Sequence, residues 1–161
     1  MGAACGSLLN SLDAEAIKTS FSSLVGKLHD QIYENYLTAQ RNIGDRVISL
    51  HYSAGIPSFD QLDGFFLSVA QSRKSRAGKA FELILEELLG RRLGYPMDGQ
   101  VRVAGARPDF VMPSSEYFDQ NPLDCMLLPA KRTLRERWRQ VVTEANVTYS
   151  YFLATLDNRV T

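Results

Sequence analysis

Three residues of this sequence have the types and the spacing for metal-assisted chemistry on a phosphodiester: Asp109, Lys131 and Glu144. Asp109 precedes Lys131 by 22 positions and Glu144 follows it by 13. Two carboxylates can hold a divalent cation such as Mg²⁺, which also takes phosphate oxygens and water. Such a cation polarises the phosphoryl group and lowers the pKa of its water. A lysine beside it orients that water and offsets charge on the phosphate in the transition state. Singly, each residue has a plain structural reading: a turn former after Pro108, a charge at a strand end, a solvated position on a helix. Their conjunction with the helix that follows Lys131 favours a site.

The local sequence offers a mounting for each residue. Arg107-Pro108-Asp109-Phe110-Val111 sets the acid in an apolar, β-prone run, which predicts a strand over 109–112. A second apolar run, predicted as a strand over 124–128, leads to Lys131. Residues 133 to about 147 read as a helix, with Leu134, Trp138, Val141 and Ala145 on one apolar stripe. Arg137 and Glu144 are seven apart and share a different face. Arg135, Glu136 and Arg137 fall in its first turn. Arginine pairs bidentately with guanine O6 and N7, and glutamate accepts from cytosine N4. The triplet therefore suits neighbouring G·C pairs. An intrahelical ion-pair reading fits it poorly, because adjacent positions on a helix do not face each other.

Upstream, the pattern is helical. Ala16, Ile17, Phe21, Leu24, Leu28, Ile32 and Tyr36 recur at three- and four-residue steps and predict one helix over 13–40. Asn42-Ile43-Gly44 predicts a break, with a short helix over 45–51. Ser58 with Gln61 is a capping-box pattern opening a helix over 59–72 that buries Leu62, Phe65, Phe66 and Val69. Gly78 marks a break or a close contact. A further helix is predicted over 80–89, closed by Gly90 and by Gly94-Tyr95-Pro96. Beyond Pro96, short β-prone runs at 101–103, 109–112 and 124–128 precede the 133–147 helix, and 149–156 reads as one last strand. Helices, strands, helix, strand is the order of an α/β or α+β layer fold with a central mixed sheet.

Composition sets the bounds. At 161 residues one domain is expected, with 1–70 as a helical N-terminal part and 71–161 as the core. No apolar run reaches the roughly 18 residues of a membrane span, and the first residues lack the pattern of a secretory signal. Cys5 and Cys125 form no metal-binding pair, which suits reduced thiols in the cytoplasm. Net charge is zero, with 18 basic and 18 acidic residues, which argues against indiscriminate nucleic-acid binding. The distribution says more. Lys131, Arg132, Arg135, Arg137 and Arg139 lie within nine positions against one acid, Glu136, and Arg73, Lys74, Arg76 and Lys79 form a second basic cluster.

Pro108-Asp109, Ala130-Lys131, the run Arg135-Glu136-Arg137-Trp138-Arg139-Gln140 and Glu144-Ala145 together resemble the catalytic domain of EcoRII-type restriction endonucleases, within the PD-(D/E)XK nuclease superfamily. The resemblance covers roughly 71–156. In the general superfamily motif an acid sits two places before the lysine, where this chain has Pro129. The EcoRII-like variant carries that acid on the following helix, and Glu144 has the matching spacing. The resemblance implies a restriction-endonuclease-like fold, Asp109 and Glu144 as metal ligands and Lys131 as the catalytic lysine. It further implies Arg135, Glu136 and Arg137 as base readers. Ser75-Arg76-Ala77-Gly78 with Glu82 resembles the family's helix before the sheet, which implies Glu82 as an accessory acid and Arg76 at the DNA.

The expectation is a sequence-specific, Mg²⁺-dependent endonuclease that cuts double-stranded DNA as a homodimer, with no membrane role, at a CC-N-GG site. The different-class alternative is a DNA-binding remnant without turnover. A nuclease for structured or damaged DNA is a weaker third reading, since it needs little direct base readout. The triplet supplies a test. Arg135→Ala or Arg137→Ala is expected to cost about 1–3 kcal/mol on a CC-N-GG duplex and to narrow the margin over other DNA. A binding series on duplexes changed one pair at a time measures this.

Overall fold

The structure, a computed structural model, describes residues 9–53, 55–133 and 150–157. It opens with helix α1 (Ala14–Thr19), whose first turn is closed by Asp13 Oδ1 accepting from the Ala16 N–H at 2.8 Å. Helix α2 (Phe21–Ser53) follows, then α3 (Phe59–Leu85). The Ser58 and Gln61 spacing gives the capping box it predicts: the Gln61 N–H reaches Ser58 Oγ at 3.3 Å and the Ser58 N–H reaches Gln61 Oε1 at 3.0 Å. α3 runs directly into a π-helical segment, Glu86–Arg92, and the chain turns away at Gly94, whose φ of 72° suits glycine.

The helices differ from the sequence expectation in several ways. The helix predicted over 13–40 is broken at Ser20, where the backbone leaves the helical region. The breaks predicted at Asn42-Ile43-Gly44 and Gly78 do not occur, and α2 and α3 pass straight through them. Glycine weakens a helix only by about 1 kcal/mol, and packing between the paired helices overrides it. Phe65 of α3 lies beside Gly44, where an added Cβ would sit 3.8 Å from its ring. Gly90 likewise lies inside the π-helical segment, not at its end. The border expected between positions 70 and 71 falls within α3. Phe66 is 56% exposed instead of buried, because far from the sheet each helix of the pair has only the other to cover it.

Strands β1 (Asp98–Gly99), β2 (Phe110–Met112), β3 (Met126–Leu128) and β5 (Ser150–Tyr151) form a mixed sheet in the order β1-β2-β3-β5. β1–β2 and β2–β3 are antiparallel, and β3–β5 is parallel. Strands β4 (Ala130–Lys131) and β6 (Ala154–Thr155) form a second, parallel pair. The first strand is therefore 98–99 and not the 101–103 run; Val103 makes only an isolated bridge with Ala106. The last strand, expected to be continuous, is divided into β5 and β6. Pro129 explains this: it has no N–H to return to the neighbouring strand. Its carbonyl still accepts from the Ala154 N–H at 3.0 Å, as Leu127 accepts from the Phe152 N–H at 2.9 Å.

The core has two parts, one on each side of the sheet. Phe110 and Ala130 pack with Leu28 of α2 and with Phe81, Ile84 and Leu88 of the long helical run. Val111, Leu127, Cys125 and Val103 pack with Phe118 of helix α4 (Ser115–Gln120). Alternation along β2 assigns Phe110 to one side and Val111 to the other. Helices thus flank a central mixed sheet, as expected. Among the described residues no helix is long and apolar enough to cross a membrane.

Asp98 joins β1 to α4. Its Oδ2 accepts from both the N–H and the hydroxyl of Ser115, each at 2.8 Å, and these bonds hold its carboxyl below the usual carboxylate range. The stabilisation is complete above the unfolded-state pKa of about 3.9 and is lost as the pH falls through the lower folded-state value. Asp98→Asn is expected to lower the urea midpoint at neutral pH and to make stability fall less steeply below about pH 4. Urea titrations across that range check it.

Candidate active site

Asp109 sits one residue before β2, and continuing the Phe110–Leu128 register sets it opposite Pro129. The Asp109 backbone faces β1, its carbonyl accepting from the Gln100 N–H at 2.9 Å, and its side chain reaches the strand of Ala130 and Lys131. Oδ2 accepts from the Ala130 N–H at 2.7 Å and from Lys131 Nζ at 2.7 Å. A carboxylate only 8% exposed is stable there because both bonds are made. The Lys131 pair is itself mostly buried, at 20% and 10% side-chain exposure, so it is screened far less than a surface pair. One strand pair thus fixes the acid and the lysine together.

Glu82 arrives from α3. That helix buries Ala77, Ala80, Phe81, Ile84 and Leu85, which leaves Glu82 beside the buried stripe, toward the sheet. Its Oε2 accepts from Lys79 Nζ at 3.0 Å and from Gln100 Nε2 at 3.1 Å. The same Gln100 nitrogen reaches Asp109 Oδ1 at 3.4 Å. Glu82, Gln100, Asp109 and Lys131 therefore form one connected polar cluster at the ends of α3, β2 and β4. Its carboxylate oxygens are hard donors of the kind Mg²⁺ takes. Among the described residues no three His, Cys, Asp or Glu side chains gather into a metal site.

The structure brings Asp109, Lys131 and Glu82 together. Arg76 is exposed and lines a groove between α2 and α3 with Tyr33, Tyr36 and Lys79. Arg132 extends that basic edge, its guanidinium 5.9 Å from the Tyr33 ring centre. Of the second basic cluster, Arg73 donates to Gln40 Oε1 at 2.6 Å, while Lys79 pairs with Glu82. Glu144, Arg135, Glu136 and Arg137 lie outside the described residues. Gln100 was missed from sequence; the only local signal was the turn-forming Gly99-Gln100 pair, and nothing in it points at position 82 or 109.

A family model described as EcoRII C terminal matches residues 37–161, most of the chain. The chain belongs to the EcoRII C-terminal family. Within the EcoRII C-terminal family it is similar to the type II restriction enzyme SsoII of Shigella sonnei, at 45% identity over 103 residues, 57% of this chain and 33% of that protein. It is also similar to the type II restriction enzyme EcoRII of Escherichia coli, at 36% identity over 110 residues, 66% of this chain and 27% of that protein. The matches thus span about a third or less of these relatives' lengths. Among solved structures, the restriction endonuclease PspGI in complex with substrate DNA matches with a TM-score of 0.71 and 28% identity over 87% of this chain and 56% of that one. Metal-depleted Ecl18kI in complex with uncleaved DNA matches with a TM-score of 0.75 and 30% identity over 94% of this chain and 58% of that one. The restriction-endonuclease fold of the EcoRII C-terminal family is therefore the fold of this chain.

The Asp109 carboxylate has a structural duty separable from chemistry. Asp109→Ala removes the acceptor for the buried Ala130 N–H and is expected to cost about 1–3 kcal/mol more stability than Asp109→Asn, which retains an oxygen. Equilibrium unfolding of the two variants measures the difference.

Proposed function

We propose that this chain carries the catalytic core of a type II site-specific deoxyribonuclease that hydrolyses phosphodiesters in double-stranded DNA with Mg²⁺. The observation that carries the reading is the Asp109 carboxylate clamped by Lys131, with Glu82 of α3 linked to it through one amide. Family membership supports it, as does similarity to a restriction endonuclease whose DNA is uncleaved in the metal-depleted form. We take the chain as one restriction-endonuclease-like domain, 1–161, in which the helices of 1–70 brace the core of 71–161.

Asp109 and Glu144 would hold the cation, with Glu82 as the accessory acid. When bound, Mg²⁺ supplies polarisation of the scissile phosphate and acidification of a water. The protein's own residues do the rest. Asp109 keeps Oδ2 engaged with Ala130 and Lys131, which leaves Oδ1, with one long bond among the described residues, for ligation. Lys131, fixed at the strand end, places its ammonium where negative charge grows on the phosphate. Arg135, Glu136 and Arg137 read the bases. Arg76 serves the phosphates from the α2–α3 groove, in the setting of Tyr33 and Lys79. A two-fold homodimer would present the reading triplet twice and so call for a symmetric site of the form CC-N-GG. The cytoplasm, where DNA and Mg²⁺ meet, is the proposed place of action.

The test is plasmid cleavage with Mg²⁺ and mapping of the cut ends, for the parent and for Asp109→Asn and Lys131→Ala. Each variant is expected to lose orders of magnitude in rate while keeping duplex affinity, and the double variant to be little slower than either single one. Binding without any cleavage by the parent would make the chain a DNA-binding module instead.

A further inference from the structure

Gln100 stands out on three independent counts. Its side-chain nitrogen lies within 3.4 Å of both site carboxylates: 3.1 Å from Glu82 Oε2 and 3.4 Å from Asp109 Oδ1. Its backbone has a φ of 58°, in the left-handed region that a long side chain rarely adopts and that clusters at functional sites. The same backbone is anchored to the residue it serves, since the Gln100 N–H donates to the Asp109 carbonyl at 2.9 Å. The residue also faces a cavity of about 260 Å³ lined in part by Lys79, Glu82 and Glu86.

A primary amide carries two N–H hydrogens and no charge. Two carboxylates facing each other repel, and a shared pair of donors offsets this without supplying a competing cation. Glu82 has a second donor in Lys79, and Asp109 has two in Lys131 and Ala130. Among the described residues only Gln100 bonds both acids.

We propose that Gln100 is a positioning residue that sets the spacing of Glu82 and Asp109 for a divalent cation. This rests on the metal-dependent reading above. Its amide gathers the two carboxylates before the cation arrives, so that binding does not have to order Glu82. Groups of this kind, which hold ligands without being ligands, commonly change metal affinity by about 10–100-fold when removed.

The experiment measures Mn²⁺ binding to the DNA-free protein by the electron paramagnetic resonance of free Mn²⁺. The proteins are the parent, Asp109→Asn, Gln100→Ala and Gln100→Gly. Both Gln100 variants lose the amide, but only glycine also removes the Cβ from the left-handed backbone, so a loss common to both reports the bridging and not the backbone. The expected result is a Kd for Mn²⁺ raised about ten-fold in both variants, with urea midpoints and metal-free DNA affinity at parental values. In cleavage, the Mg²⁺ concentration for half-maximal rate should rise with KM for DNA unchanged. A parental Mn²⁺ Kd in Gln100→Gly overturns the proposal, since bridging would then be dispensable. If the parent binds Mn²⁺ no better than Asp109→Asn, the metal-site reading fails and takes this inference with it. If the parent binds and the Gln100 variants match it, the inference alone fails.

Discussion

The site depends on one hydrogen bond from a strand backbone to a side chain. The registered pairs of β2 and β3 end at Phe110 and Leu128, and Ala130 lies beyond them. The Asp109 carboxylate takes the next N–H, that of Ala130, at 2.7 Å. This couples the proposed metal ligand to the integrity of the sheet. The acid cannot turn away without leaving a buried N–H unpaired, and the lysine on the same strand cannot shift without losing its partner at 2.7 Å. In the general superfamily motif the Pro129 position holds an acid. In this chain it holds a proline, whose missing N–H lies on the β5 and β6 side.

The long helical run supplies the other wall. α3 presses Phe81, Ile84 and Leu85 onto the sheet side that also bears Phe110 and Ala130. Glu82, between Phe81 and Ile84 in sequence, therefore arrives beside the sheet with little freedom. Directly beyond it the helix widens into the π-helical segment Glu86–Arg92, held on its outer face by Arg91 and Arg92 reaching Glu86 and Glu87. π-helical turns often lie beside functional sites, and this one ends the helix next to Met97 and the strand that leads to Gln100. Away from the sheet the paired helices show the opposite character. Ile43, Leu50, Phe59 and Phe66 are exposed, since a two-helix arm can cover only one stripe of each partner.

Much of the site could be read from the residue order alone. The β-prone run around Asp109, the apolar run before Lys131 and the 3.6-residue pattern carrying Glu82 are local signals, and local signals survive in a sequence. The Ser58 and Gln61 cap was legible for the same reason. The predicted helix breaks failed because a glycine's propensity is small beside interhelical packing, as Phe65 over Gly44 shows. The single terminal strand failed because its division is imposed by Pro129 on a neighbouring strand, 21 or more positions earlier.

The sequence by itself determined the chemical inventory: an acid before a strand, a lysine at the end of another, an acid on a helix, and the apolar periodicities that place each in its element. Periodicity is a property of neighbours along the chain, so no contact between distant parts was needed to see it. Only the tertiary structure decided that Glu82 meets Asp109 and that Gln100, 18 positions from one and 9 from the other, is the residue between them. That meeting requires a left-handed turn at Gln100 and the docking of α3 on β4, which are set by burial of the shared core and not by any local preference of the residues involved.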